Sequence, residues 1–364
     1  MTRRAARRPA VAPARARAIR QRLLNWYDRN RRDLPWRRRR EDPYAQWVAE
    51  IMLQQTQVAT VRAYYERFLR QFPDVRSLAW ASRQRVLKSW EGLGYYRRAM
   101  HLHTAARQVV GAGGALPENR DGLRALPGIG DYTSAAIASI AFGEPVAAVD
   151  GNVVRVLSRL FKLVGPAKTN RLREGVQHIA EQLLDSRRPG DFNQAWMDLG
   201  ATVCRPKEPH CSACPLSSLC LGRLNRRRNR APRADAPRQV PVVVQTVLIA
   251  RCGDALFMRR RPESGLWAGL WEFPALDGND VRAEQLLALC GLCARGSAVP
   301  LETIERRLTH RLYCFHPLLI SADDARPRPR SDARVGRWVP PRQRARLPVS
   351  TAHRKLLSLV NAGG

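Results

Sequence analysis

Four cysteines crowd into one short stretch: Cys204, Cys211, Cys214 and Cys220, separated by six, two and five residues. Four thiolates on a loop this short can fold around one metal centre. Zinc sites of four cysteines usually use two well-separated Cys-x2-Cys pairs. The compact, unequal spacing suits a [4Fe–4S] cluster better, with zinc as the alternative. Glu50 is the second candidate. It lies in Tyr44–Gln57, where apolar residues recur every three or four positions, and its neighbours four residues away are Gln46 and Gln54 rather than Lys or Arg. Set beside Trp47, Ile51 and Leu53 in so Arg-rich a chain, it is not a typical solvated helix residue. A desolvated carboxyl holds its proton to higher pH and can donate it near neutrality. Asp150, in Val149-Asp150-Gly151-Asn152, precedes a helical stretch and can act as its N-cap, as an ionised second carboxylate, or as both. One protonated and one ionised carboxyl are what rupture of a bond to a sugar through an oxocarbenium-like state requires.

Helices must position these groups. Besides Tyr44–Gln57, apolar spacing of three and four predicts helix over Ala16–Tyr27, Val58–Gln71, Arg97–Val110, Tyr132–Ala141, Val153–Phe161 and Asn170–Leu184. Leu126-Pro127-Gly128-Ile129-Gly130 precedes Tyr132–Ala141. It is read either as a tight turn whose backbone N–H groups grip a phosphate at a helix N-terminus or as an ordinary corner. Residues 222–241, with seven Arg and three Pro, read as an exposed linker. Beyond it Pro241–Ala250, Ala255–Arg260 and Leu312–Ser321 have strand character, and Val281–Cys290 and Ala352–Val360 helical character. The expected organisation is a basic disordered arm over 1–14, a mostly α domain over 15–221, the linker, and an α+β domain over 242–364.

The 364 residues carry a formal charge of +32, which calls for a polyanionic partner such as DNA or RNA. Only five of the 63 basic residues are Lys, and such Arg, Ala, Pro and Gly enrichment is also what a GC-rich genome produces, so charge alone does not decide the matter. No apolar run reaches the roughly 18 residues of a membrane span. The start is basic and acid-poor, but Pro9 and Pro13 and its lack of Ser favour a disordered arm over an organelle transit peptide. A reducing compartment favours metal ligation over disulfides, and the expected localisation is cytoplasmic, bacterial and nucleoid-associated.

The cysteine spacing, the Leu-Pro-Gly-Ile-Gly turn and Asp150 about twenty residues later resemble the endonuclease III, helix–hairpin–helix superfamily of DNA glycosylases. Leu34-Pro35-Trp36-Arg37, Asp42-Pro43-Tyr44, Glu50-Ile51-Met52-Leu53-Gln54-Gln55-Thr56-Gln57-Val58 and Trp90-Glu91-Gly92-Leu93-Gly94-Tyr95-Tyr96 narrow the resemblance to the adenine DNA glycosylase family, over most of residues 20–221. That resemblance implies a [4Fe–4S] cofactor, Glu50 as general acid/base, Asp150 as the ionised partner, and Tyr132 and Asn152 as supports. It makes Leu126, Gly128 and Gly130 part of the DNA-binding hairpin, and Gln55 and Tyr95 wedges in the base stack beside a flipped adenine. Strand-cutting members carry Lys where this chain has Tyr132, and some carry another where it has Val154. Neither residue can form a Schiff base, so a monofunctional, hydrolytic glycosylase is expected.

Arg261-Pro262-Glu263-Ser264-Gly265-Leu266-Trp267-Ala268-Gly269-Leu270-Trp271-Glu272-Phe273-Pro274 resembles the Nudix-like C-terminal domain of the same family. A Nudix hydrolase needs several magnesium-binding carboxylates on the helix that follows, whereas Ala283–Cys290 offers only Glu284. A recognition module without pyrophosphatase activity is expected. Leu308-Thr309-His310 stands where the family has Phe-Ser-His, as a reader of the lesion or else as an ordinary strand end. Cys290 and Cys293 read as core residues. The implied partner is duplex DNA with adenine opposite 8-oxoguanine or guanine, bound by a monomer. The rivals are a thymine or uracil mismatch glycosylase on the same scaffold and a non-catalytic iron–sulfur DNA-binding protein.

Overall fold

The computed structural model describes residues 10–163, 169–224, 240–322 and 336–361. Helices run over Pro13–Asn30 (α1), Pro43–Leu53 (α2), Val58–Gln71 (α3), Val75–Ala79 (α4), Arg83–Ser89 (α5), Arg97–Gly111 (α6), Arg120–Arg124 (α7), Asp131–Ala141 (α8), Gly151–Phe161 (α9), Asn170–Leu183 (α10), Pro189–Asp198 (α11) and Leu221–Leu224 (α12). A 3-10 turn occupies Pro35–Arg39, and a π-turn over Leu199–Val203 leads into the cysteine loop. The chain divides into two compact units, Met1–Ala79 with Thr104–Ala236 and Trp80–His103 with Pro237–Gly364. The sequence places 15–221 in one helical domain; Trp80–His103 packs with the carboxy-terminal unit instead.

In the helical unit the three-and-four apolar spacing becomes one core. Ile19, Leu23 and Tyr27 of α1 meet Val153, Leu157 and Leu160 of α9, Val176 and Ile179 of α10, and Phe192 and Trp196 of α11. Local chemistry sets the starts of the site helices. Asp42 caps α2 by accepting from the Ala45 N–H at 3.0 Å, with Pro43 at the first helical position. α2 stops at Leu53, four residues short of the Tyr44–Gln57 expected, because the backbone leaves helical geometry at Gln54, with ψ 112°, and turns left-handed at Gln55, with φ 56°. The arm expected over 1–14 does not extend to residue 14. α1 begins at Pro13, and the Val11 N–H donates to the Gln182 side chain at 2.7 Å. Residues 1–9 of the arm and 225–239 of the linker lie outside the described residues, and residues 222–224 belong to α12.

In the other unit, strands run over Val242–Cys252 (β1), Ala255–Arg260 (β2), Trp271–Glu272 (β3), Ala275–Asp277 (β4), Ala294–Pro300 (β5), Ile304–Arg307 (β6), Leu312–Ala322 (β7) and Gly336–Val339 (β8), with helices Ala283–Cys290 (α13), Pro341–Arg344 (α14) and Thr351–Asn361 (α15). The mixed sheet has the order β3-β2-β1-β7-β5, and among the described residues only β1 and β7 pair in parallel within it. β1 is buried on both faces, which is why it reads as a nearly unbroken apolar run. Val247 and Ile249 face Ala352, Leu356 and Leu357 of α15, whereas Leu248 and Ala250 face Ala283, Leu286 and Leu287 of α13. Cys290 is buried in that second layer as expected, but Cys293 is exposed.

Candidate active site

α2, α8 and α9 bring Glu50, Tyr132, Asp150 and Asn152 together in the helical unit. Glu50 is buried, and its Oε2 has no hydrogen-bond partner among the described residues. Burial, with the Asp150 charge adding to it, pushes its pKa from 4.5 up to about 7, while the hydrogen bond with Tyr132 and the charge of Arg37 pull the other way. The Tyr132 hydroxyl, raised well above its ordinary pKa chiefly by burial, also donates to Met197 Sδ at 3.6 Å. It stays protonated and presents no amine.

Asp150 uses both carboxylate oxygens. Oδ1 accepts from the Val153 N–H at 2.7 Å, which caps α9, and Oδ2 accepts from Asn152 Nδ2 at 2.7 Å. Residues that the sequence reading passed over hold Asn152 in turn. Arg155 donates to Asn152 Oδ1 at 2.8 Å, to the Gly200 carbonyl at 2.8 Å and to the Cys204 carbonyl at 3.0 Å. A Cβ on Gly200 would stand 2.6 Å from Asn152 Cβ, so only glycine fits there.

The turn between α7 and α8 carries Leu126, Gly128 and Gly130. Gly128 has a φ of +83°, and its carbonyl accepts from Gln54 Nε2 at 3.3 Å; Gln54 also reaches Thr133 Oγ1 at 3.1 Å. Gly130 is the N-cap of α8. The hairpin and the end of α2 are thus tied together. In the other unit Tyr95, also left-handed at φ 49°, is exposed, and its hydroxyl lies 2.7 Å from Thr309 Oγ1. Thr309 and His310 are exposed at the tip between β6 and β7. Leu308, the third lesion-reading candidate, is partly buried and packs against the core of its own unit.

Cys204, Cys211, Cys214 and Cys220 are all free thiols and line one cavity. Among the described residues no group of three or more His, Cys, Asp or Glu side chains is placed to hold a single metal ion. Four thiols around one cavity are the kind of donor set that an iron–sulfur cluster uses. Burial, followed by the charges of the other three thiols, pushes Cys214 up to about 11, a penalty that a cationic core would relieve. Arg159, itself buried, braces the loop through the carbonyls of Arg205 at 2.7 Å and Pro206 at 2.9 Å.

Residues 48–200 match the model of the HhH-GPD superfamily of base excision DNA repair proteins, and residues 245–359 match the NUDIX domain model. The chain is 36% identical to the mouse adenine DNA glycosylase over 404 residues, covering 94% of this chain and 78% of that one. It is 40% identical to the human adenine DNA glycosylase, over 71% of this chain and 57% of the relative, and 40% identical to that of Arabidopsis thaliana, over 72% and 48%. The chain belongs to the adenine DNA glycosylase family. It spans little more than half the length of the human relative. Among solved structures, a thermostable thymine-DNA glycosylase is similar at a TM-score of 0.54 and 32% identity, covering 58% of this chain and 97% of that one. Endonuclease III trapped on DNA has a TM-score of 0.51 at 21% identity over 60% of this chain and all of that one, and so shares the fold.

Proposed function

We propose that the chain is a monofunctional glycosylase that removes adenine opposite 8-oxoguanine or guanine in duplex DNA, in the bacterial cytoplasm on the nucleoid. The observation that carries this reading is Glu50, a buried carboxyl with a free oxygen, a pKa of about 7 and Asp150 close enough to influence it. Glu50 passes its proton to a ring nitrogen of the flipped adenine. The C1′–N9 bond breaks with its electron pair leaving on the base, and Asp150, held by Asn152 and the α9 N-terminus, offsets the positive charge on the sugar. Water adds to C1′ and its surplus proton returns to Glu50. Product analysis tests this. Duplexes with A opposite 8-oxoguanine or G should yield free adenine, strand breaks should need alkali or heat, and borohydride should trap no adduct. Release of thymine or uracil from mispairs with G, and no adenine, would establish the rival glycosylase.

The four cysteines would hold a [4Fe–4S] cluster, which when bound fixes the loop that displays the exposed Lys207 and Arg223 towards phosphate. Cys214→Ser should lose the brown absorbance and most of the iron; stoichiometric zinc in the parent protein would overturn the assignment. Thr309 and His310 are proposed to read the 8-oxoguanine edge, with Tyr95 and Gln55 as wedges. The exposed tip and the hydrogen bond between the Tyr95 and Thr309 hydroxyls support that reading.

A further inference from the structure

Tyr95 is presented to solvent from a turn that its own residue type does not favour. Gly94 and Tyr95 both take left-handed backbone, at φ of 79° and 49°. Glycine adopts that region freely, whereas a tyrosine there costs about 1 kcal/mol or more and persists only where its surroundings enforce it. The enforcing contacts converge on one atom. The Gly94 carbonyl oxygen accepts from Trp90 Nε1 at 3.1 Å and from Arg98 Nη2 at 3.1 Å. That oxygen belongs to the rigid peptide plane joining Gly94 to Tyr95, so the two donors fix the orientation from which the tyrosine side chain departs.

Arg98 does more than brace the carbonyl. Its guanidinium carbon stands 5.4 Å from the centre of the Tyr95 ring and 5.5 Å from that of the fully buried Trp90. A cation within about 6 Å of an aromatic face is attracted to it, more strongly where water is kept away. Arg98 is half-buried, and burial brings its pKa down to about 10, which leaves it charged at neutral pH. It lies in the first turn of α6, where its backbone N–H donates to the Tyr95 carbonyl at 2.9 Å and no acidic residue stands beside it. A cation at the positive end of a helix is unfavourable. The two rings and the Gly94 carbonyl offset that cost.

We propose that Arg98 is the positioning residue of the Tyr95 wedge, holding the ring at the angle from which it enters the base stack. The inference rests on the reading of Tyr95 as a wedge. Without Arg98 the Gly94–Tyr95 peptide loses one of its two donors and the ring loses its cation, so the turn relaxes towards backbone that tyrosine prefers. The neighbouring Arg97 is exposed, as a phosphate contact would be, whereas Arg98 is half-buried against the rings.

A double-mutant cycle on the full chain tests this, read by single-turnover excision and duplex affinity with adenine opposite 8-oxoguanine. Tyr95→Ala and Arg98→Met should each lose about tenfold in excision, and the double variant no more than Tyr95→Ala alone. A residue that acts through the ring has nothing left to position once the ring is gone. Arg98→Lys keeps the charge but not the planar fork, so it should lose less than Arg98→Met, and nothing further in the Tyr95→Ala background. Both Arg98 variants should keep the parent's dependence of duplex binding on salt. Losses that multiply in the double variant would overturn the proposal, as would a flatter salt dependence, which would make Arg98 a phosphate contact. If Arg98→Met does not fold, the cycle with Arg98→Lys decides on the same terms. A Tyr95→Ala variant that excises and binds like the parent would instead remove the wedge itself, and the positioning role with it.

Discussion

Glu50 takes up its proton in the folded chain at about pH 7, against an ordinary value of 4.5. A carboxyl whose folded pKa is raised contributes most to stability below the unfolded value, and that contribution is lost as pH rises towards and through the folded one. Excision that uses the proton should therefore decline about tenfold per pH unit above pH 7 under single-turnover conditions. Glu50→Gln should lose at least about 10²-fold in excision. The same variant should melt higher than the parent at pH 8, with the gap closing towards pH 4.5; equal melting at both values would mean that Glu50 is not desolvated. Tyr132→Phe removes the hydrogen bond that lowers the Glu50 pKa. Its pH–rate profile should keep its proton-requiring limb to higher pH even as the rate falls. Much of this was readable beforehand, because a Glu without basic neighbours in an Arg-rich chain is conspicuous. Arg155 was not, since one arginine among so many carries no signal until its three acceptors are seen.

The end of α2 depends on one backbone conformation. Gln55 sits at φ 56°, in a region that costs a residue with a Cβ about 1 kcal/mol or more. Gln55→Gly should relieve that strain and leave the melting temperature equal or higher while weakening duplex binding, measured side by side. A large fall in stability would assign Gln55 a packing role instead. Helices with regular apolar spacing, such as Val58–Gln71 and Asn170–Leu183, were legible almost to the residue. α11 was not, because it opens on Pro189-Gly190-Asp191 and reads as a loop until its burial against α1 and α8 is known. β6 and β8, at four residues each, are too short for alternation to show; β6 exists through its hairpin with β7 and β8 through pairing with the distant β2.

Trp80–His103 is committed to the carboxy-terminal unit by specific contacts. Gln84 Oε1 accepts from Trp271 Nε1 at 2.9 Å, Glu91 Oε1 accepts from Arg354 Nε at 2.8 Å, and the Tyr96 hydroxyl donates to the Val349 carbonyl at 3.3 Å. Truncation near residue 229 strips all three acceptors or donors from the segment that carries the Tyr95 wedge. The shortened chain should retain adenine excision from A opposite G, since Glu50 and Asp150 lie in the other unit. It should melt lower and lose its preference for 8-oxoguanine; full preference after truncation would place lesion reading in the helical unit. The interleaving also bears on ancestry and on engineering. A module that borrows a stretch from the middle of its neighbour cannot be exchanged between homologues as a terminal cassette. A chimaera joined only at the linker would pair a foreign sheet with the native 80–103, and the coding segments for both would have to be inherited, or transplanted, as a matched set.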